Sequence, residues 1–332
     1  MIMYTLLRKI ALFFLGASSL FAALIGLACW WISPRQISNG AEDDRTPVWS
    51  PRGDQIAFVS NKDGVENIRL MALADHSIQP LTSSKAPAWF PAWSPDGSEI
   101  AFQSNRRGSL DLWIVKVADG TMRQLTFDSG PEITPVWSPD GKQIAFAALE
   151  NGNWDLWVIP AAGGKATRIT ADSTDDNFPA WSPDGKTIAF ASSRNGNCDI
   201  WLVPATGGET LQLTTHEALD DAPAWSPEGG SIAFRSERSG ASEIWVKSLA
   251  SGEETQVTID ENYAWSPSWS PDGKHIAFQS DRSGNEDIWL ALPPTFLYSL
   301  AVKATYKMIK LGRFSRWAFI QLAEEITGQE YD

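Results

Sequence analysis

Most of the side chains here that could do chemistry are carboxylates, and they recur shortly before a repeated tryptophan. Asp43-Asp44, Glu132, Asp175-Asp176, Asp220-Asp221 and Asp260-Glu261 precede Trp49, Trp137, Trp181, Trp225 and Trp269, while the segment before Trp93 offers Trp89 and Phe90. Convergent carboxylates can act as general acid and base, gather Ca²⁺, or attract a basic peptide or polyamine. The residues expected to line such a convergence are Asp44, Trp89, Glu132, Asp176, Asp220 and Asp221. A solvated rim that only aids solubility is the other reading of the same acids.

A second set lies thirteen and eighteen residues after those tryptophans: Arg106 with Asp111, Arg194 with Asp199, Arg238 with Glu243, and Arg282 with Asp287. The corresponding Glu150 and Asp155 should repel. Similar pairs repeated in four units fit a structural role at loop ends, because catalysis needs one asymmetric site. His76, His216 and His275 share no metal-ligand spacing, and no nucleophile–base pair or phosphate loop appears. The expectation is a chain that is not an enzyme and needs no cofactor, with Ca²⁺ in the acidic channel as the one metal to consider. A net charge of -13 argues against nucleic acid. Cys29 and Cys198 are the only cysteines, and Cys29 lies in a hydrophobic leader, so no disulfide framework is available.

The positioning elements follow from the tryptophans. There are 17 Trp against 5 Met and 5 Tyr, an excess that points to a repeat. Trp49, Trp93, Trp137, Trp181, Trp225 and Trp269 are spaced evenly, each after Pro-x and before Ser-Pro, as in Pro179-Ala180-Trp181-Ser182-Pro183-Asp184-Gly185. Ile-Ala-Phe follows, then a second Trp at 113, 157, 201, 245 and 289, with Arg69 replacing it in the first unit. A segment with an aliphatic before threonine, such as Arg123-Gln124-Leu125-Thr126 or Leu211-Gln212-Leu213-Thr214, closes each of the first five units. Pro-Asp-Gly supplies turn chemistry, and the alternation Ile-x-Phe marks a strand with one buried face. Four short strands per unit predict an all-β fold, a six-bladed β-propeller over residues 33–292. The sixth unit departs after Leu292, whereas Arg35-Gln36-Ile37-Ser38 lies in fourth-strand register ahead of Trp49. The N-terminal strand should therefore complete blade six and close the ring.

The run Trp-Ser-Pro-Asp-Gly-x-x-Ile-Ala-Phe followed by Asp-Ile-Trp resembles the TolB-like propeller repeat, over residues 35 to 292. That repeat is also found in prolyl-oligopeptidase-like enzymes and membrane-bound sensors. The resemblance implies a periplasmic propeller that binds protein partners. The α/β domain ahead of the propeller in TolB is not expected here, where the leader runs straight into a strand.

Residues 1–32 read as a signal anchor or signal peptide. Ile10–Ile32 carries no charge, follows Arg8-Lys9, and ends in Trp30 and Trp31, which suit a membrane interface. Gly26-Leu27-Ala28 also offers a cleavage site, and Cys29 a lipidation site. Each outcome puts the propeller outside the cytoplasm, either in the periplasm or at the cell surface, or secreted if the leader is cut. Residues 293–332 read as a basic amphipathic helical tail, in which Lys303, Lys307 and Lys310 would meet either a membrane or a packing partner. With +2 in the leader and +1 in residues 293–332, the repeats carry -16. The expected function is a non-catalytic, extracytoplasmic binding platform for a basic or membrane-associated protein or peptide. A hydrolase or lyase using mouth carboxylates and a ligand-sensing domain are the alternatives.

Overall fold

The computed structural model describes residues 33–294, except 128–129 and 260–261. The leader with Trp30 and Trp31, the tail with Lys303, Lys307 and Lys310, and the acidic pair Asp260-Glu261 lie outside the described residues.

Six four-stranded antiparallel sheets form a ring. The first strands, Asp44–Trp49, Trp89–Trp93, Glu132–Trp137, Asp176–Trp181, Asp220–Trp225 and Ala264–Trp269, touch one another in sequence and so line the axis. Packing between blades explains the conserved spacing of types along each unit. Phe58, Phe102, Phe146, Phe190, Phe234 and Phe278 are fully or almost fully buried, each wedged between its own sheet and the preceding one. Burying one such ring stabilises by about 2–3 kcal/mol. The first-strand tryptophans tie neighbours together: the indole N–H groups of Trp93, Trp225 and Trp269 donate to Val48, Ala180 and Ala224 carbonyls one blade back, at 3.2, 3.1 and 3.2 Å.

The threonine of Gln-Leu-Thr locks the outer strand to the third. Thr214 Oγ1 accepts the Ile200 N–H at 2.9 Å and donates to Asp199 at 3.2 Å. Ser38 does the same for blade six, accepting the Ile288 N–H at 2.9 Å and donating to Asp287 at 3.1 Å. Arg35 pairs with Leu290 and Gln36 with Trp289, and Ile37 packs into the core beside Ile288 and Trp49. The N-terminal strand thus closes the ring as its register predicts. Arg35 and Ala291 both lie at the end that carries the Ser-Pro-Asp-Gly turns. The opposite end carries the hairpin loops between second and third strands and the connections into each first strand.

Each first strand contains a bulge. Its register shifts three residues before the tryptophan, as between Arg45 and Val48. Thr46, Phe90, Thr134, Phe178, Ala222 and Ser266 stand there with φ between 47 and 56°. The following proline is tolerated because a bulge needs no N–H from it. A left-handed backbone at a non-glycine residue costs roughly 1–2 kcal/mol, and bulges re-aim side chains.

Candidate site at the axial mouth

What the bulges aim at is the axis. Phe90, Phe178 and Trp265 come from alternate blades, two, four and six, and their rings meet one another. Centroids lie 6.3 Å apart for Phe90–Phe178, 5.8 Å for Phe90–Trp265 and 5.9 Å for Phe178–Trp265, the last two edge-on. Three rings from alternate blades can touch only at the axis, so they plug the channel just below its loop-end mouth. Edge-to-face aromatic contacts favour this arrangement beyond their area.

Above the plug the rim is polar and asymmetric. Arg45 reaches across blades: its Nε donates to Glu286, its Nη1 to Glu66 at 2.8 Å and its Nη2 to Asp43 at 3.3 Å. Glu66 also accepts from the Trp89 indole, while Glu286 accepts from Gln279 at 3.0 Å. A polar string thus runs from blade six through one to two. On the far side Arg235 grips Asp221 with two bonds of 2.7 Å. Burial raises the Asp221 carboxyl despite that cation, and pushes the nearby Tyr263 hydroxyl up to about 12. Asp43, Glu66, Glu286, Asp221 and Glu237 outnumber Arg45 and Arg235, so the mouth is negative around an apolar floor.

The expected acidic ring is not arranged as read from the sequence. Asp44, Glu132, Asp176 and Asp220 are only 2, 2, 0 and 0 % exposed. The residue five before each repeat tryptophan points away from the axis, under the hairpin loop of its own blade, and the inward side chains come from the two positions after it. Asp176 is bound there by Arg194 at 2.7 and 2.9 Å, Asp220 by Arg238 at 2.5 Å, and Glu132 by the Thr126 hydroxyl. Asp221 and half-buried Trp89 do belong to the mouth.

The loop pairs are corrected by the same geometry. Arg194 and Arg238 bond back to the inner strand, not to Asp199 and Glu243 across the hairpin. Asp199 is taken by Gln212 and Thr214, Asp287 by Gln36, Ser38 and Ser283, and Asp111 by Ser109 and Gln124. Arg106 and Arg282 instead lie over Phe102 and Trp113, and over Phe278 and Trp289. Asp155, expected to repel Glu150, is neutralised by Arg168. Among the described residues no three His, Cys, Asp or Glu side chains form a group that could hold a metal ion.

Sequence reading missed Phe178, Trp265, Glu66 and Glu286. Comparing the residues three and four before each repeat tryptophan would have singled out the first two as large aromatics at an inward position.

A closed six-bladed ring with a plugged axis and a loop-end mouth that varies from blade to blade defines a β-propeller of the binding or catalytic kind. The sequence model of the TolB beta propeller domain matches residues 32–133 and 212–292, more than half the chain, and the chain belongs to that family. The model of the Tricorn protease N-terminal beta propeller domain matches residues 109–196 and 152–243. Among solved structures, an Agrobacterium tumefaciens protein described as a TolB is 22% identical with a TM-score of 0.63, covering 79% of this chain and 99% of its own. A Xanthomonas campestris gluconolactonase is 16% identical with a TM-score of 0.61, covering 79% and 90%. An oligogalacturonate lyase in complex with manganese is 16% identical with a TM-score of 0.59, covering 79% and 93%. At these identities the likeness is one of fold. No curated protein sequence matches significantly.

Proposed function

We propose that this chain is a non-catalytic binding platform, held outside the cytoplasm by its leader, that receives a protein or peptide on the loop end. The observation that carries this reading is the plugged mouth: Phe90, Phe178 and Trp265 form an apolar floor, and five carboxylates against two arginines surround it. Such a shallow, negative, aromatic-floored depression suits an apolar side chain flanked by Lys or Arg. The partner is accordingly a basic segment. The leader's charge-free run and its Arg8-Lys9 flank support delivery across a membrane. Because the ring closes with Arg35 at the turn end, a retained anchor leaves the mouth facing away from the bilayer.

Peptides selected by display against the full chain, followed by affinity measurement on Glu237→Lys and Trp89→Ala variants, test the reading. Selected peptides should pair basic with apolar residues, and each variant should weaken them roughly tenfold without loss of folding. Undiminished binding to both variants would remove the mouth as the site. Turnover of a uronide or lactone that is lost in Asp221→Asn would replace the platform by an enzyme.

A further inference from the structure

Arginine stands thirteen residues after the repeat tryptophan in blades two, four, five and six. Blades four and five show a full clasp around it. Arg194 lies over the Phe190 and Trp201 rings at 5.1 and 4.9 Å, and donates to Ser192, Thr210 and Asp176 at 3.0, 2.7 and 2.7 Å. Asp172, from the connection leaving the previous blade, adds an ion pair at 2.7 Å. Arg238 repeats this over Phe234 and Trp245, bonded to Ser236, Glu254 and Asp220.

Blade one keeps part of the clasp and lacks the arginine. Lys62 stands at that position, half-exposed, with its Nζ turned to Glu42 at 3.3 Å. Asp44 is the counterpart of Asp176 and Asp220, Ser60 of Ser192, Ile78 of Thr210, and Gly40 of Asp172. Asp44 Oδ1 and Ser60 Oγ are buried and neither makes a well-formed hydrogen bond, although the Ser60 and Ser38 hydroxyls lie close enough to favour the Asp44 carboxylate. Arg69, which replaces the second tryptophan, is drawn to Asp63 at the hairpin tip at 2.5 Å. Where Arg194 sits in blade four, blade one has a cavity of about 330 Å³ whose lining includes Ser38, Gly40, Glu42, Asp44, Lys62, His76 and Ile78.

We propose that this cavity between the closing strand and blade one binds a guanidinium group supplied from outside the chain, with Asp44 gripping it as Asp176 grips Arg194. The source is an arginine side chain of a polypeptide or a small guanidino compound. The charges that act most on Asp44 are the acidic Glu42 and Asp287, Lys62 is turned to Glu42, no ion pair joins Asp44 to a cation among the described residues, and a buried carboxylate without one is costly. Burial accordingly pushes its carboxyl up to about 6. A planar donor fork matches a carboxylate better than an ammonium does. The site lies away from the axial mouth and stands or falls independently of it.

Calorimetric titration of the full chain with N-acetyl-L-arginine amide and with methylguanidinium tests this, with N-acetyl-L-citrulline amide as the neutral isostere. Both guanidinium probes should bind saturably with Kd of ~1 mM or tighter, and citrulline should not. Tighter binding of the arginine amide identifies a polypeptide source, and equal binding identifies a site that reads the guanidinium alone. Asp44→Asn should weaken both probes at least roughly tenfold. Lys62→Arg should fill the cavity from within, abolishing binding and raising Tm. Equal binding of citrulline, absence of saturation, or full affinity retained in both variants would overturn the proposal.

Discussion

The glycines at the two ends of the ring share a left-handed backbone and differ in what surrounds them. At the turn end, Gly97 has φ of 74°, and a Cβ there would come 3.3 Å from Pro51 of the preceding blade. The same contact, glycine against the neighbour's proline, recurs around the ring from Gly53 to Gly273. At the loop end, Gly108 has φ of 109°, and a Cβ would meet nothing within 4 Å, as at the other five hairpin-loop glycines. The turn end is therefore closely packed from blade to blade, most tightly at Gly97 and Gly141. The loop end is open, so its residues are free to differ, and they do: Trp89, Asn177 and Asp221 occupy equivalent positions. Binding is expected where the repeat can vary without loosening the ring.

The loop end is not open throughout: its base is buried around Asp220 and Arg238. Arg238→Ala should destabilise by about 3–5 kcal/mol, because it strands the fully buried Asp220 without a cation. A denaturant titration that moved by less than 1 kcal/mol (about the value of an exposed ion pair) would show that the loop end is free down to its base. Asp44→Asn should act in the opposite direction. The Asp44 carboxyl is lifted by burial from 3.8 to about 6, with Glu42 and Asp287 adding repulsion and the Ser60 and Ser38 hydroxyls opposing. The folded chain therefore holds the extra proton between those values, and wild-type stability falls as pH rises from about 4 through about 6. Asparagine removes that fall, so the variant should gain about 3 kcal/mol near neutral pH and nothing near pH 4. A gain independent of pH would contradict the cause given.

Smaller effects sharpen the contrast between the ends. Gly97→Ala and Gly108→Ala each impose a left-handed alanine, at about 1 kcal/mol, but only the former also presses on Pro51. Gly97→Ala should cost about twice as much by thermal or chemical denaturation. Equal losses would mean that the turn end is not closely packed from blade to blade. Glu237→Gln, at a half-exposed rim carboxylate, should change stability by no more than about 0.5 kcal/mol. A larger loss would assign that rim to the framework.

The ring itself was legible because its determinants are local and repeated. The six tryptophans fix the blades, Ile-Ala-Phe fixes the buried faces, and the position of Ile37 before Trp49 fixes the closing strand. The mouth was legible only in part. Arg194 reads as a partner for Asp199 because the two flank one hairpin, whereas the guanidinium folds inward to Asp176, eighteen residues earlier and adjacent in the sheet. Asp176 and Asp220 read as axial because they open the inner strand, but the bulge that follows decides which residue turns inward. That bulge carries no glycine to mark it, so Phe90 and Phe178 meet Trp265 through a backbone conformation that residue types do not announce.

Closure by the first strand also has a consequence in time. Gln36 and Asp287 are hydrogen-bonded across a sequence separation of 251 residues, so this contact joins nearly the whole length of the described chain. Blades made mostly of neighbouring strands can each assemble as soon as they emerge, while the outer edge of blade six waits for a segment made first and left unpaired longest. Contacts of such long range are slow to form. As it folds the chain would pass through a nearly complete but unfastened ring, with Arg35-Gln36 idle at one end and the Asp287–Ala291 edge exposed at the other. That interval is the window in which a chaperone, a protease or a second chain can compete for the edge.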